Sequence, residues 1–313
     1  MTALPSANEA NRILPRDAPN AISLYTTLIL PAERLAVERL EAAGDKATTD
    51  LKALVVYARV VGYLLLFPPS DIARDALLGE VASCNDSSKP DPFEALYGLG
   101  KSYVSHIISL FKSARGKTPT PESHPSRPSF DRLQADHLQE LQPSPRDHSS
   151  AKKSALVRDN FRCMVSGKVD DNSERAGLTQ RLPNEMITVT QCCHIFPDAL
   201  EAVSPARHGD KEQAVSSVWT FLDRFGFQDV CKELMGATAG FNPHHLENIL
   251  TLEINAHVLF DRLDLWFEAV EGQPNMYHVG ITSKRTHADF GWPQMVHFIS
   301  HHQGLPLPNP SLS

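Results

Sequence analysis

His257 and Asp261 stand four residues apart in the segment His257-Val258-Leu259-Phe260-Asp261. On a helix that spacing puts imidazole and carboxylate on the same face, one turn apart, so two ligands for one divalent ion follow. Such a pair tolerates Mg²⁺, Mn²⁺ or Zn²⁺, and the remaining donors decide among them. Upstream lie Cys193-His194-Ile195-Phe196-Pro197 and Asn248-Ile249-Leu250-Thr251-Leu252. Hydrolysis of a phosphodiester needs a base to activate water, a cation to stabilise charge on the phosphorane and leaving oxygen, and rigid placement of both. These three separated segments together carry residue types able to meet those needs.

The elements that must position them read as follows. Ile187 to Phe196 runs through β-branched residues into Pro197 and predicts a strand, paired as a hairpin with Phe161 to Ser166, which ends in Gly167. A short helix is expected through His257 and Asp261, then strands at Leu265 to Val270 and Met276 to Thr282, with Gly272-Gln273-Pro274-Asn275 as the turn between them. Asp210 to Met235 carries Val215, Val218, Phe221, Leu222 and Phe225 at helical spacing, which predicts a helical insertion before Asn248. His297 and His301 fall on an expected C-terminal helix through Met295 to Ser300, where a surface face explains their spacing. His244 and His245 read as a polar loop, and Cys163 as a small buried hydrophobe.

The N-terminal part has a different texture. From Pro31 to Ser113 the pattern is helical, with Pro31-Ala32-Glu33 opening one helix and Thr48-Thr49-Asp50 capping the next. Further helices are expected at Ser70 to Ser83 and Asp91 to Lys112. Leu51 to Phe67 is apolar enough to raise a membrane question, but Lys52, Arg59 and Gly62 interrupt it, which predicts a buried helix. Between Gly116 and Ser150 the composition turns to Pro, Ser, His and Arg, a linker that cannot support a packed core. The expected organisation is a helical unit at 21–115, this linker at 116–150, a metal-site domain at 154–285, and a C-terminal helix and tail at 286–313.

In order and spacing, Arg162-Cys163-Met164-Val165-Ser166-Gly167, Cys193-His194-Ile195-Phe196-Pro197, Asn248-Ile249-Leu250-Thr251-Leu252 and His257-Val258-Leu259-Phe260-Asp261 resemble the HNH endonuclease family. More narrowly they resemble a fungal-type subgroup that lacks zinc-binding cysteine pairs. The resemblance implies an α+β chain: an N-terminal helical unit and a C-terminal ββα-metal domain with a helical insertion and a closing β-hairpin. It implies His194 as general base, Asn248 as the residue that fixes the loop and orients that base, and His257 and Asp261 as metal ligands. It further implies metal-dependent cleavage of nucleic acid, DNA being the family's usual substrate, with Mg²⁺ as the expected ion and Mn²⁺ or Zn²⁺ as alternatives. One position departs from the pattern. Better-studied members place Asp or His immediately before the base, where this chain has Cys193, an additional candidate site residue and a poor partner for Mg²⁺. A second departure is the 54-residue separation of His194 and Asn248.

Composition bounds these readings. The chain has 313 residues, 42% of them hydrophobic, enough for a sizeable core in two units. Net charge is -7, which excludes coating of nucleic acid by charge alone and predicts weak, salt-sensitive non-specific binding. Positive charge is local to the linker and its flanks, at Lys112, Arg115, Lys117, Arg127, Arg132, Arg146, Lys152 and Lys153. The five cysteines include no C-x-x-C pair, so a disulfide framework is not indicated and a reducing, intracellular compartment is expected. The first thirty residues show no basic start followed by an apolar run, so neither secretion nor a membrane partner is expected. Cys193 and the negative balance also fit a different class of protein: a catalytically silent HNH scaffold whose helical unit recruits a protein partner.

Overall fold

The computed structural model describes residues 2–15, 19–86, 91–105, 145, 147–196, 222, 225–227, 242–282 and 286–310. They fall into two compact units, Met1–Leu110 with Asp210–Cys231, and Phe111–Gly209 with Lys232–Ser313. The fold is α+β, with helices filling the first unit and short sheets the second.

The first unit begins with α1 (Ala7–Ile13), whose N-cap Ser6 forms a reciprocal capping box with Glu9. After α2 (Pro19–Leu24) and a π-helical turn (Tyr25–Ile29) come α3 (Leu30–Ala43), α4 (Thr49–Leu66), α5 (Asp71–Cys84) and α6 (Pro92–Tyr103). Thr48, Ser70 and Asp91 cap the last three by accepting backbone N–H groups, as side chains of those types do. The apolar run lies in α4, where Arg59 pairs with the buried Glu33 at 2.5 Å. Among the described residues no helix is long and apolar enough to cross a membrane. Helices α4 and α6 pack closely at Gly100, where any Cβ would stand 2.4 Å from the Tyr57 carbonyl oxygen. Of the expected insertion helix, only Leu222 and residues 225–227 are described. Phe225 lies in this unit's core, its ring 5.8 Å from that of Tyr103 and its carbonyl accepting from Ser70 Oγ at 2.6 Å.

Among the described residues the second unit begins with Pro145 and α7 (His148–Arg158), a helix that starts within the end of the segment expected to be linker. Its N-cap Asp147 accepts from Ser150 N, and its apolar face is made of small residues, Ala151 and Ala155, which composition alone disguises. The rest of the expected linker, apart from Pro145, lies outside the described residues. Next come β1 (Val169–Asp170), α8 (Asp171–Arg175), β2 (Ile187–Thr188), β3 (Thr190–His194), β4 (Ile249–Glu253) and α9 (Ile254–Asp261).

Several expectations are corrected here. Phe161 to Ser166 is not a strand paired with Ile187 to Phe196. Cys163 to Gly167 form a turn in which Ser166 N approaches Cys163 Sγ and Gly167 takes a φ of +68°. The two-residue strands β1 and β2 pair in parallel, and β3 pairs antiparallel with β4, from Thr190 opposite Glu253 to His194 opposite Ile249. The closing hairpin, β5 (Leu265–Ala269) and β6 (Met276–Ile281), is joined by a third strand, β7 (Met295–His297). His297 is therefore on a strand and not on a helix through Ser300; the nearest helix is α10 (His287–Phe290). Met295 and His297 are exposed while Val296 is buried, an alternation of period two that a helical reading of the histidines overlooked.

Arg158 ties these pieces together. It is fully buried, holds Asp159 through two parallel bonds of 2.7 and 2.8 Å, and donates to the carbonyls of Leu246 at 2.8 Å and Ile249 at 3.0 Å. A weaker bond reaches the Pro306 carbonyl at 3.3 Å. Its removal strands a buried carboxylate and takes a donor from the Ile249 carbonyl and from that of Leu246, which keeps only the Ile249 N–H, so Arg158→Met should destabilise this unit by about 3–5 kcal/mol. Arg158→Lys, lacking the planar fork, should recover little of that. Urea unfolding followed by tryptophan fluorescence measures both, and an Arg158→Met protein within about 1 kcal/mol of wild type would contradict the assignment.

Candidate active site

Strand β3, the turn before β4, and α9 bring the sequence-predicted residues into one ββα unit. His194 ends β3 and Asn248 closes the 3-10 turn Leu246–Asn248 that leads into β4. Asn248 is fully buried. Its side-chain oxygen accepts from Phe196 N at 2.7 Å, and its amide donates to the Phe196 carbonyl at 2.9 Å and the Pro243 carbonyl at 2.8 Å. Its own carbonyl accepts from Ile195 N at 2.9 Å. The residue therefore clamps the backbone on both sides of the segment that separates it from His194.

His194 sits in a cluster of imidazoles. Its Nε2 lies 3.1 Å from Nδ1 of His244, and its ring centroid is 5.1 Å from that of His244 and 5.8 Å from that of His148. His244 is held by its neighbours: its N–H donates to Asn242 Oδ1 at 3.1 Å, and the Asn242 amide donates to the Pro145 carbonyl at 2.8 Å. Burial first, and then the neighbouring His244, His148 and His257, push the His194 pKa down to about 3. A desolvated imidazole with other imidazoles beside it resists taking on charge, so His194 is neutral at physiological pH and competent to accept a proton.

His257 and Asp261 share one face of α9, with Nε2 of His257 3.5 Å from Oδ1 of Asp261. Nδ1 of His257 donates to Gln191 Oε1 at 2.5 Å, which fixes the tautomer and leaves the Nε2 lone pair on the Asp261 side. Burial lowers the His257 pKa, and the Asp261 carboxylate opposes that shift. The sulfur of Cys193 completes the group: one ligand atom each from Cys193, His257 and Asp261 lie within 4.8 Å of one another. The Cys193 thiol is buried, and its pKa is raised well above the ordinary range by burial, then by Asp261 and Cys192. A sulfur, an imidazole nitrogen and a carboxylate oxygen converging in this way are a chemically reasonable donor set for one divalent cation.

Helix α9 is fixed at both ends. At its start the Glu253 carboxylate takes Trp292 Nε1 at 2.7 Å, Ser166 Oγ at 2.8 Å and the Lys168 ammonium at 3.0 Å. Its last turn presents Phe260, whose ring is 6.2 Å from Phe267 of β5. Phe267 packs in turn against Tyr277 and Phe298. Sequence reading did not single out Gln191 or His148. Gln191 had one available signal: it stands two residues before Cys193 on a strand, hence on the same face. His148 had none, because α7 itself was not recognised.

Residues 163–268 match the family model of the HNH endonucleases. The matched span contains the Cys163–Gly167 turn, β3, the Asn248 turn, β4, α9 and most of β5. The chain thus carries, in its C-terminal half, a domain of the HNH endonuclease family, a class of nucleases. No curated protein and no solved structure matches the chain.

The Asn248 clamp yields a direct expectation. Asn248→Ala takes the side-chain partner from the Phe196 N–H, the Phe196 carbonyl and the Pro243 carbonyl, at about 1–3 kcal/mol for each buried bond that water does not replace. Hydrogen exchange should show the Phe196 amide losing its protection, with overall destabilisation of about 3 kcal/mol. An unchanged exchange rate at Phe196 would refute the clamp.

Proposed function

We propose that this protein is a metal-dependent endonuclease acting on DNA. The observation that carries the reading is the placement of His194, Asn248, His257 and Asp261 on one β3–β4–α9 unit inside the span matched by the HNH family. The chemistry follows from the side chains. In the tautomer that places the His194 proton on Nε2, toward Nδ1 of His244, the other ring nitrogen of His194 would receive the proton of the attacking water. Asn248 fixes the backbone at Ile195 and Phe196, directly after the base, so the imidazole is aimed without a conformational search. His257 and Asp261 would hold the cation, with Gln191 behind His257. When bound, the cation supplies Lewis-acid stabilisation of the negative charge that builds on the phosphate and leaving oxygen. The P–O bond to the leaving strand breaks as the water oxygen bonds to phosphorus, and the departing alkoxide takes its proton from solvent.

Substrate phosphate has a nearby source of charge. Lys152 lies four residues after His148 on α7, one helical turn along the same side. With a net charge of -7 on the whole chain, contacts of this kind must be local and should weaken steeply as salt rises.

The test is cleavage of supercoiled plasmid, linear duplex and single-stranded RNA by the full-length protein with Mg²⁺, Mn²⁺, Zn²⁺ or EDTA. Cleavage of the DNA substrates that EDTA abolishes is expected, with His194→Ala and His257→Ala each reducing it by about a hundredfold or more. Cleavage of RNA alone would correct the substrate. A folded, metal-binding protein that cleaves nothing would leave the HNH unit as a binding module and overturn the enzymatic reading.

A further inference from the structure

Strand β3 divides its side chains between two tasks. Cys192 points into the apolar cluster formed with Ala151, Ala155, Leu246 and Ile249. Gln191 and Cys193, alternating with it, face α9, where one bonds His257 and the other brings a sulfur to within 4.8 Å of the His257 and Asp261 ligand atoms. Cys193 is 1% exposed and paired opposite Leu250 in the ladder, so the sulfur is placed by strand geometry and not by a loose loop.

Two features of this trio suit a metal cation. With Nδ1 of His257 turned to Gln191, Nε2 and an Asp261 oxygen stand 3.5 Å apart and face the same point, a pair that either a proton on Nε2 or a metal cation can join. Around zinc, with bonds of about 2.0–2.3 Å, tetrahedral ligand atoms stand roughly 3.3–3.8 Å apart. Closing the present trio on such an ion takes side-chain shifts of roughly half an ångström.

We propose that Cys193, His257 and Asp261 form a single thiolate–imidazole–carboxylate centre that selects a thiophilic divalent ion, zinc above all, against magnesium. Magnesium takes hard oxygen donors in an octahedron and gains little from sulfur, and this trio offers it one carboxylate. Zinc accepts all three donor types, and three protein ligands is the count found in catalytic zinc sites. Binding breaks the Cys193 S–H bond, forms a sulfur–metal bond and releases one proton to solvent. The inference rests on the metal site of the nuclease reading and names its ion, in place of the magnesium that family resemblance favours.

The experiment uses full-length protein stripped with chelator and titrated with Zn²⁺, Co²⁺ and Mg²⁺ by calorimetry in two buffers of different ionisation enthalpy, with absorption spectra for Co²⁺. Expected are one zinc per chain, release of a proton, a near-ultraviolet sulfur-to-cobalt charge-transfer band, and no displacement by about a hundredfold excess of magnesium. Cys193→Ser should abolish the band and weaken zinc by about tenfold or more; Cys193→Asp should bind without the band and admit magnesium. Should either Cys193 variant fail to fold, His257→Ala, altered on a partly exposed helix face, should lose the same band. Absence of the band in wild type, its persistence in folded Cys193→Ser, or magnesium binding as tight as zinc overturns the proposal. Zinc bound as described, without cleavage of any nucleic acid, sinks the nuclease reading while this centre stands.

Discussion

The candidate site depends on a buried amide whose oxygen and both N–H groups are engaged. Asn248 bonds the backbone at Phe196 and at Pro243, and Ile195 N returns a bond to its carbonyl. Each of these bonds contributes only about 1 kcal/mol net. Their geometric effect is larger, because together they fix where β3 ends and therefore where His194 stands. A side chain that offered only an acceptor, or only donors, could not serve an N–H and two carbonyls at once.

Strand β3 then does double duty through its alternation. On one face Cys192 packs in the core against α7, and on the other Gln191 and Cys193 meet α9. The chemistry is thus built on the same ladder that anchors the unit, so donor positions inherit the rigidity of the strand pair. Arg158 extends that rigidity by bonding the carbonyls of Leu246 and Ile249 on either side of the Asn248 turn. The same burial that orders the site also lowers the pKa of His194. A neutral His194 imidazole and a buried Cys193 sulfur are consequences of one packing arrangement.

The grouping of the candidate residues His194, Asn248, His257 and Asp261 was more legible in the sequence than the elements that carry them. The four-residue step from His257 to Asp261 marks one helix face, and α9 has both residues on it. The N-terminal helices were legible from caps such as Thr48 and from apolar runs such as Leu51 to Phe67, while α1 was missed because a seven-residue helix carries too little periodicity. Pairing was not legible: β1 and β2 are two residues long, and nothing in their composition distinguishes a parallel partner from an antiparallel one. Nor was α7, whose buried residues are Ala151, Ser154, Ala155, Leu156 and Arg158, a set with only one large apolar side chain to mark a helical period. The missed helix took His148 with it, so the imidazole cluster at His194 emerged only from the fold.

The long separation of His194 from Asn248 poses a physical problem that the Asn248 bonds answer. The chain leaves the second unit after Phe111–Gly209 and re-enters at Lys232, and Phe225 of the intervening stretch lies in the core of the first unit. Closing a long loop is inexpensive per added residue, each doubling in length costing about 0.6 kcal/mol, so length alone does not threaten the fold. What such an excursion does threaten is register, because a base placed at its departure point would drift with it. Phe196 on the outgoing side and Pro243 on the returning side are both bonded to the Asn248 side chain, so the excursion is pinched at its base. A compact motif can therefore carry a large insertion between His194 and Asn248 with the two ends of that insertion tied to one side chain.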